Sequence, residues 1–177
     1  ALAEKYGLEV VSTGRMLNEE IKKGSEIGKQ IKDLYESGAL VPDEIVVRLI
    51  EQKLEQRNGA KGFIFKSYPR TLVQSYILDG LLQKRGSAIN MVLDLDVPTL
   101  DLVTRLEARS KTESCKPYDR ELSRIVKRLR EHETKSVPVI EKYEKLHGVE
   151  RIDGRGSFEE VSARVSEAVE KAFRSMR

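Results

Sequence analysis

Apolar residues follow two rhythms along this chain, and the alternation between them predicts its architecture. An unbroken run at Phe63-Ile64-Phe65 and apolar residues on both faces of Ile89 to Leu95 predict strands buried on both sides, the habit of a parallel sheet, and Val10-Val11 and Val149 to Ile152 predict two further short strands. Between the runs apolar residues recur every three or four positions. Met16, Leu17 and Ile21 predict one helix, Ile27, Ile31 and Leu34 a second, and Val46, Leu49, Ile50 and Leu54 a third. Further helices follow at Val73, Ile77, Leu81 and Leu82, at Leu102, Val103 and Leu106, and at Leu122, Ile125, Val126 and Leu129, the last interrupted near Pro138 and resumed through Ile140 and Tyr143.

Punctuation supports these boundaries. Ala1 to Tyr6 reads as the last turns of a helix stopped by Gly7, while Gly24 and Gly38 stop two more. Ser25, Asp43 and Thr71 are placed to cap helices, and Ser157-Phe-Glu-Glu160 reads as a capping box opening the final one. Arg109 to Asp119 breaks into polar residues and reads as a loop. Strands alternating with helices predict an α/β fold of three layers, a parallel sheet flanked by helices, in one domain over 1–177. Three helices between the first two strands exceed what one crossover needs, so a small helical subdomain is expected on the sheet.

Composition narrows the function. The 177 residues are 39% apolar and carry a formal charge of +3 from nearly balanced totals, too little excess to argue for nucleic acid or a membrane surface. Cys115 is the only cysteine, which excludes an internal disulfide and a multi-cysteine zinc site. No membrane span or leader pattern is seen, so a cytoplasmic protein is expected. His132 and His147 sit in charged helical contexts and read as surface residues, and Cys115 reads as a loop thiol. Asp94 and Asp96 share a face at a strand end, where aspartates before a proline commonly form turns.

The candidate chemistry lies in Phe63 to Gln74. An apolar strand ends at Ser67, Pro69 forces a turn, and Thr71 caps the next helix, so Arg70 is delivered to the carboxyl end of a strand. Open α/β sheets bind ligands there, and the planar fork of a guanidinium suits a phosphate. Ser12-Thr13-Gly14 offers a second strand-to-helix turn with free amides.

These segments resemble the adenylate kinases, which move a phosphoryl group between ATP and AMP to give two ADP. Ser12-Thr13-Gly14 looks like the family's turn at the AMP adenine, and Gly38 to Glu44 like its AMP-subdomain loop. Tyr68-Pro-Arg-Thr71 with Gln74 resembles the proline-arginine-threonine pattern, and Arg105, Arg109 and Lys127-Arg128-Leu129 resemble the arginines around the lid. The resemblance implies a phosphate-loop kinase fold with an AMP-binding subdomain over 14–56 and a short lid over 109–119. It further implies that Thr13, Gly14, Ala39, Leu40, Val41 and Ser67 surround AMP, Arg70 grips its phosphate, and Gln74 meets the adenine edge. Arg105 and the Gly156 backbone would border the ATP base, while Arg70, Arg109 and Arg128 serve the transferring group. Magnesium would arrive with ATP, no metal ligands of the protein being implied, and the nucleotides ATP, AMP and ADP would be the partners of a monomer.

Several positions depart from the family pattern. No glycine-rich, lysine-containing phosphate loop occurs in the 177 residues, and the strand that leads into it has no counterpart. The expectation is that about two dozen residues precede Ala1 in the natural protein, from the length of one strand and most of a helix. The absent strand would be the middle one, leaving two strand edges unpaired. Lys66 stands where an aspartate is usual, and Ser67 replaces a glycine. Asn18 stands where an AMP-phosphate arginine is usual, with Arg15 three residues earlier on the same helical face as its replacement. Pro117 falls at a lid arginine beside Lys116. Two functional readings result: an AMP-directed kinase lacking its phosphate loop and inactive as this chain alone, or a silent domain of that fold that binds AMP or a protein partner.

Overall fold

The computed structural model describes residues 2–56 and 59–175. The chain opens with a short helix, α1 (Leu2–Tyr6), and Ala1, expected in the same helix, lies outside the described residues. Strand β1 (Leu8–Ser12) leads into three helices, α2 (Thr13–Lys23), α3 (Glu26–Glu36) and α4 (Asp43–Glu55), before β2 (Gly62–Lys66). Helix α5 (Leu72–Gln83), β3 (Leu93–Asp96) and α6 (Thr99–Ser110) follow. A 3-10 turn at Pro117–Asp119 precedes α7 (Leu122–Glu131), which runs through a π-helical turn at His132–Ser136 into α8 (Val137–His147). Strand β4 (Glu150–Asp153) and α9 (Phe158–Ser175) complete the chain.

Caps set several of these boundaries as expected. The Ser25 hydroxyl accepts the Gly28 N–H at 3.0 Å, and the Thr71 hydroxyl accepts the Gln74 N–H at 3.2 Å. Ser157 and Glu160 exchange the reciprocal bonds of a capping box, at 2.7 and 3.2 Å. Asp43 departs from its expected role, because Pro42 occupies the cap position of α4 and the Asp43 carboxylate reaches across to α5 instead.

The four strands among the described residues pair in parallel, in two separate sheets. β1 lies beside β2 with Leu8 opposite Gly62 and Ser12 opposite Lys66, and β3 lies beside β4 with Leu93 opposite Glu150 and Asp96 opposite Asp153. Between the facing edges of β2 and β3 is a cavity of about 1300 Å³, lined by Phe63, Ile64 and Phe65 on one side and Met91, Val92 and Leu93 on the other. It explains two corrections to the sequence reading. Phe63, Ile64 and Phe65 are half-buried rather than enclosed, because they border this space. The strand expected over Ile89 to Leu95 forms only from Leu93 to Asp96, where β4 offers a partner, and Leu95 is 50% exposed.

The dense core lies on the β1–β2 side. Val11, Ile31, Val46, Ile50, Leu54, Leu78 and Leu82 pack there with little or no exposure. Helix α8 is fastened to α5 by Lys142, which donates to the Ser75 hydroxyl at 3.1 Å and pairs with Asp79, while the Tyr143 hydroxyl donates to the other Asp79 oxygen at 3.0 Å. Through this attachment the preceding turn is held against the β2 loop, where the Ser136 hydroxyl donates to the Arg70 carbonyl at 3.1 Å. Among the described residues no helix is long and apolar enough to cross a membrane.

Candidate functional site

The loop after β2 is the centre of the site. Ser67 has a φ of 58°, a left-handed conformation that side chains with a Cβ adopt at a cost. This twist turns the Ser67 carbonyl inward, where it accepts the Arg70 Nε–H at 2.9 Å and the Thr13 hydroxyl at 3.3 Å. Thr13, at the start of α2, is therefore tied to the arginine loop across the β1–β2 pair. The Arg70 guanidinium has no carboxylate partner among the described residues. Burial and then the nearby Arg128 cation push its pKa down, so the charge is held in an unbalanced field that an anion would relieve.

Gln74 is 2% exposed and spends its amide inside the protein. Its oxygen accepts the Arg70 backbone N–H at 2.8 Å, and its nitrogen donates to Asp43 at 2.8 Å, where the Thr71 hydroxyl also donates at 3.0 Å. One carboxylate of α4 thus braces the whole turn that carries Arg70.

A second arginine is held differently. Arg109, at the end of α6, makes two parallel bonds to the buried Asp119, Nε–H and a terminal N–H each at 2.7 Å. The Lys116 backbone N–H adds a third bond to that carboxylate at 2.9 Å. Burial pushes the Asp119 carboxyl up, but the bonds from Arg109 and Lys116 outweigh it and hold the group below the usual carboxylate range. Arg128 comes from α7 and lies over the Tyr118 ring at 4.2 Å.

Arg70, Arg109 and Arg128 all border the large cavity. Beside it a narrow pocket of about 50 Å³ gathers Thr13, Gly14, Ala39, Leu40, Val41 and Gln74 with Arg70 and Arg128. Residues far apart in sequence are thereby brought to one place. Others are not: Arg15 is exposed and Asn18 half-buried, and neither borders either cavity, nor does Lys116. Ser67 borders the large cavity rather than the narrow pocket, and Lys66 is exposed at the end of β2.

Arg105 and Gly156 form a separate group at the ends of β3 and β4. Arg105 donates to the Gly154 carbonyl at 2.9 Å, two residues before Gly156. Gly156 has a φ of 99°, a conformation that favours glycine, and a Cβ there would stand 2.3 Å from a Glu160 carboxylate oxygen and push that side chain out of its capping bond. Sequence reasoning gave Asp43 a capping role rather than this one and did not find Tyr35, Tyr118 or Asp119. Their spacing carries no pattern; only the lone Tyr118-Asp119 pair inside a polar loop hinted at burial.

A parallel α/β frame that converges three guanidiniums on one cleft at its strand ends is a domain suited to phosphates. Known proteins make the class specific: the sequence model of the adenylate kinase family matches residues 1–148. The adenylate kinase of Stenotrophomonas maltophilia is 39% identical over 168 residues, spanning 95% of this chain and 89% of that protein. Those of Phocaeicola vulgatus and Xanthomonas euvesicatoria are each 38% identical over 96% and 95% of this chain and 89% of their own length. The chain belongs to the adenylate kinase family, and so among nucleotide-binding kinases.

Proposed function

We propose that this chain binds AMP in the narrow pocket and serves phosphoryl transfer from MgATP to AMP, magnesium entering as part of that substrate. The observation that carries the reading is Arg70, a cation without a carboxylate partner, standing beside Arg128 where both pockets meet. A dianionic phosphate balances that field. Thr13, Gly14 and the Ala39 to Val41 segment would enclose the nucleoside. About 300 Å³ or more is usual for a bound small molecule, so the helices over 14–56 must move outward to admit it. Gln74 would then exchange its bond to Asp43 for the adenine edge, and Arg15 or Asn18 would swing toward the phosphate.

On the other side, Arg105 and the Gly156 backbone would border the ATP base, with Arg109 and Arg128 neutralising the transferring group. Transfer between phosphates depends on alignment and countercharge, which these residues supply. The phosphates of ATP also need a cradle of backbone amides, and no such loop occurs within the 177 residues. The cavity between β2 and β3 fits a further parallel strand, which would close a single three-layer sheet of the phosphate-loop kinase kind and bring that loop. Without it the chain alone is expected to be silent in catalysis. The open cavity and the cation Lys66 at the end of β2 favour the second reading, a domain that binds AMP or a protein partner without turnover. In either case we take it to act as a cytoplasmic monomer.

Calorimetric titration of the chain with AMP tests the shared premise. Arg70→Ala should weaken AMP binding by about 10- to 100-fold, the usual loss for charge-assisted hydrogen bonds to a buried partner. Unchanged affinity in that variant would refute the assignment.

A further inference from the structure

The two lid-side arginines are set by adjacent residues of one three-residue turn, through opposite chemistry. Asp119 takes two N–H donors from Arg109. Tyr118 takes none from Arg128, offering the face of its ring instead, with the guanidinium carbon 4.2 Å from the ring centroid. A guanidinium held over an aromatic face is attracted by the ring quadrupole rather than by a hydrogen-bond acceptor, so its N–H donors stay available to another partner. The Arg128 guanidinium makes no side-chain hydrogen bond or ion pair among the described residues, while its backbone carbonyl accepts the His132 N–H at the end of α7.

The Tyr118 ring is itself fixed. It is 8% exposed, meets Tyr35 of α3 edge-on at 6.0 Å and 72°, and its hydroxyl has no hydrogen-bond partner among the described residues. Its Cβ would be only 3.3 Å from a Cβ added at Gly38, so the loop after α3 closes tightly over it. Tyr118 and Arg128, with Leu40 and Arg70, are the residues that border both the large cavity and the narrow pocket. The pair is therefore part of the partition where an anion would lie.

We propose that Tyr118 is a positioning residue: its ring face holds the Arg128 guanidinium in place while leaving its donors available for the phosphate of AMP. Pro117, at the place of a usual lid arginine, is followed immediately by this tyrosine, so the turn contributes a ring that aims a cation. The proposal rests on the AMP reading above and deepens it. A ring face acts by its quadrupole, so aromaticity at 118 matters and the hydroxyl does not.

The test is titration of the 177-residue chain and its variants with AMP and, separately, with adenosine. Tyr118→Phe should bind AMP within about twofold of the parent, because the face is kept. Tyr118→Leu should bind AMP about tenfold more weakly with adenosine affinity unchanged, since only the phosphate meets Arg128. A 3,4,5-trifluorinated phenylalanine at position 118 keeps nearly the same shape but drains the ring face; it should weaken AMP about fivefold and decides the matter if the leucine variant does not fold. Equal AMP affinity in the parent and the fluorinated chain overturns the proposal, as does a parallel loss of AMP and adenosine, which would mark a structural role. A parent chain that fails to bind AMP overturns the reading beneath it as well, whereas binding that depends on Arg70 but not on ring chemistry overturns this inference alone.

Discussion

The two sides of the large cavity are built to different standards. On the β1–β2 side, α2 to α5 enclose a continuous core in which Ile31, Ile50 and Leu78 have no exposed surface. On the β3–β4 side, α6 has no buried residue, Ile152 is the buried member of β4, and Leu100 and Phe158 are 80% and 83% exposed. The difference follows the chemistry assigned to each side. The first side has its loop, caps and braces in place around Arg70, while the second presents Arg105 and Gly156 next to an edge that no strand of the described residues covers. Under the proposed function the AMP side is thus built more tightly than the side proposed for ATP.

Paired truncations give the largest contrast. Ile50→Ala should destabilise by about 3–4 kcal/mol, as for a fully packed core side chain, whereas Leu106→Ala, on the cavity wall, should lose under about 1 kcal/mol because little surrounds it. Denaturant melts of both variants check this, and equal losses would break the contrast.

Asp119 sharpens the comparison, because it ties α6 of the second side to a turn that packs on α3 of the first. Asp119→Asn removes the charge from a buried, bidentate pair with a partner 37% exposed, and should lower stability by about 1–3 kcal/mol. The sign of its pH dependence is fixed. With a folded pKa below the ordinary value of about 3.9, its contribution is complete above that value and disappears as pH falls through the folded pKa. Thermal midpoints should therefore hold from neutrality to about pH 4 and drop below it, and Asp119→Asn should flatten that drop.

The smallest effect concerns Ser67. Relief of its left-handed φ, about 1–2 kcal/mol, is partly offset by the entropy glycine loses on folding, so Ser67→Gly should stabilise by about 0.5 kcal/mol. A lower melting temperature in that variant would mean that the serine side chain contributes more than its backbone costs.

The more tightly built side was the legible one. Helical spacing marked Val46, Leu49, Ile50 and Leu54, glycine stops marked Gly24 and Gly38, and a strand interrupted by Pro69 placed Arg70, because local propensity and tertiary packing agree there. The second side misled. Ile89 to Leu95 looks like a doubly buried strand, yet an apolar run cannot reveal that among the described residues it pairs with β4 alone and only from Leu93 to Asp96. Asp43 looked like a cap, but the nearby Thr71 and Gln74 donors outbid its own helix terminus. Asp119 and Tyr118 escaped notice because their partners lie ten residues away in either direction, a distance with no period in helix or strand.

One assay addresses directly the proposal that this chain grips AMP but does not by itself hold the triphosphate of ATP for transfer. The 177-residue chain, its mass verified, is supplied with MgATP and AMP, and ADP formation is followed by a coupled reaction. No turnover above background is expected at AMP concentrations that saturate the chain. Steady ADP production near the rate of an ordinary enzyme, on the order of 10 s⁻¹, would contradict the proposal.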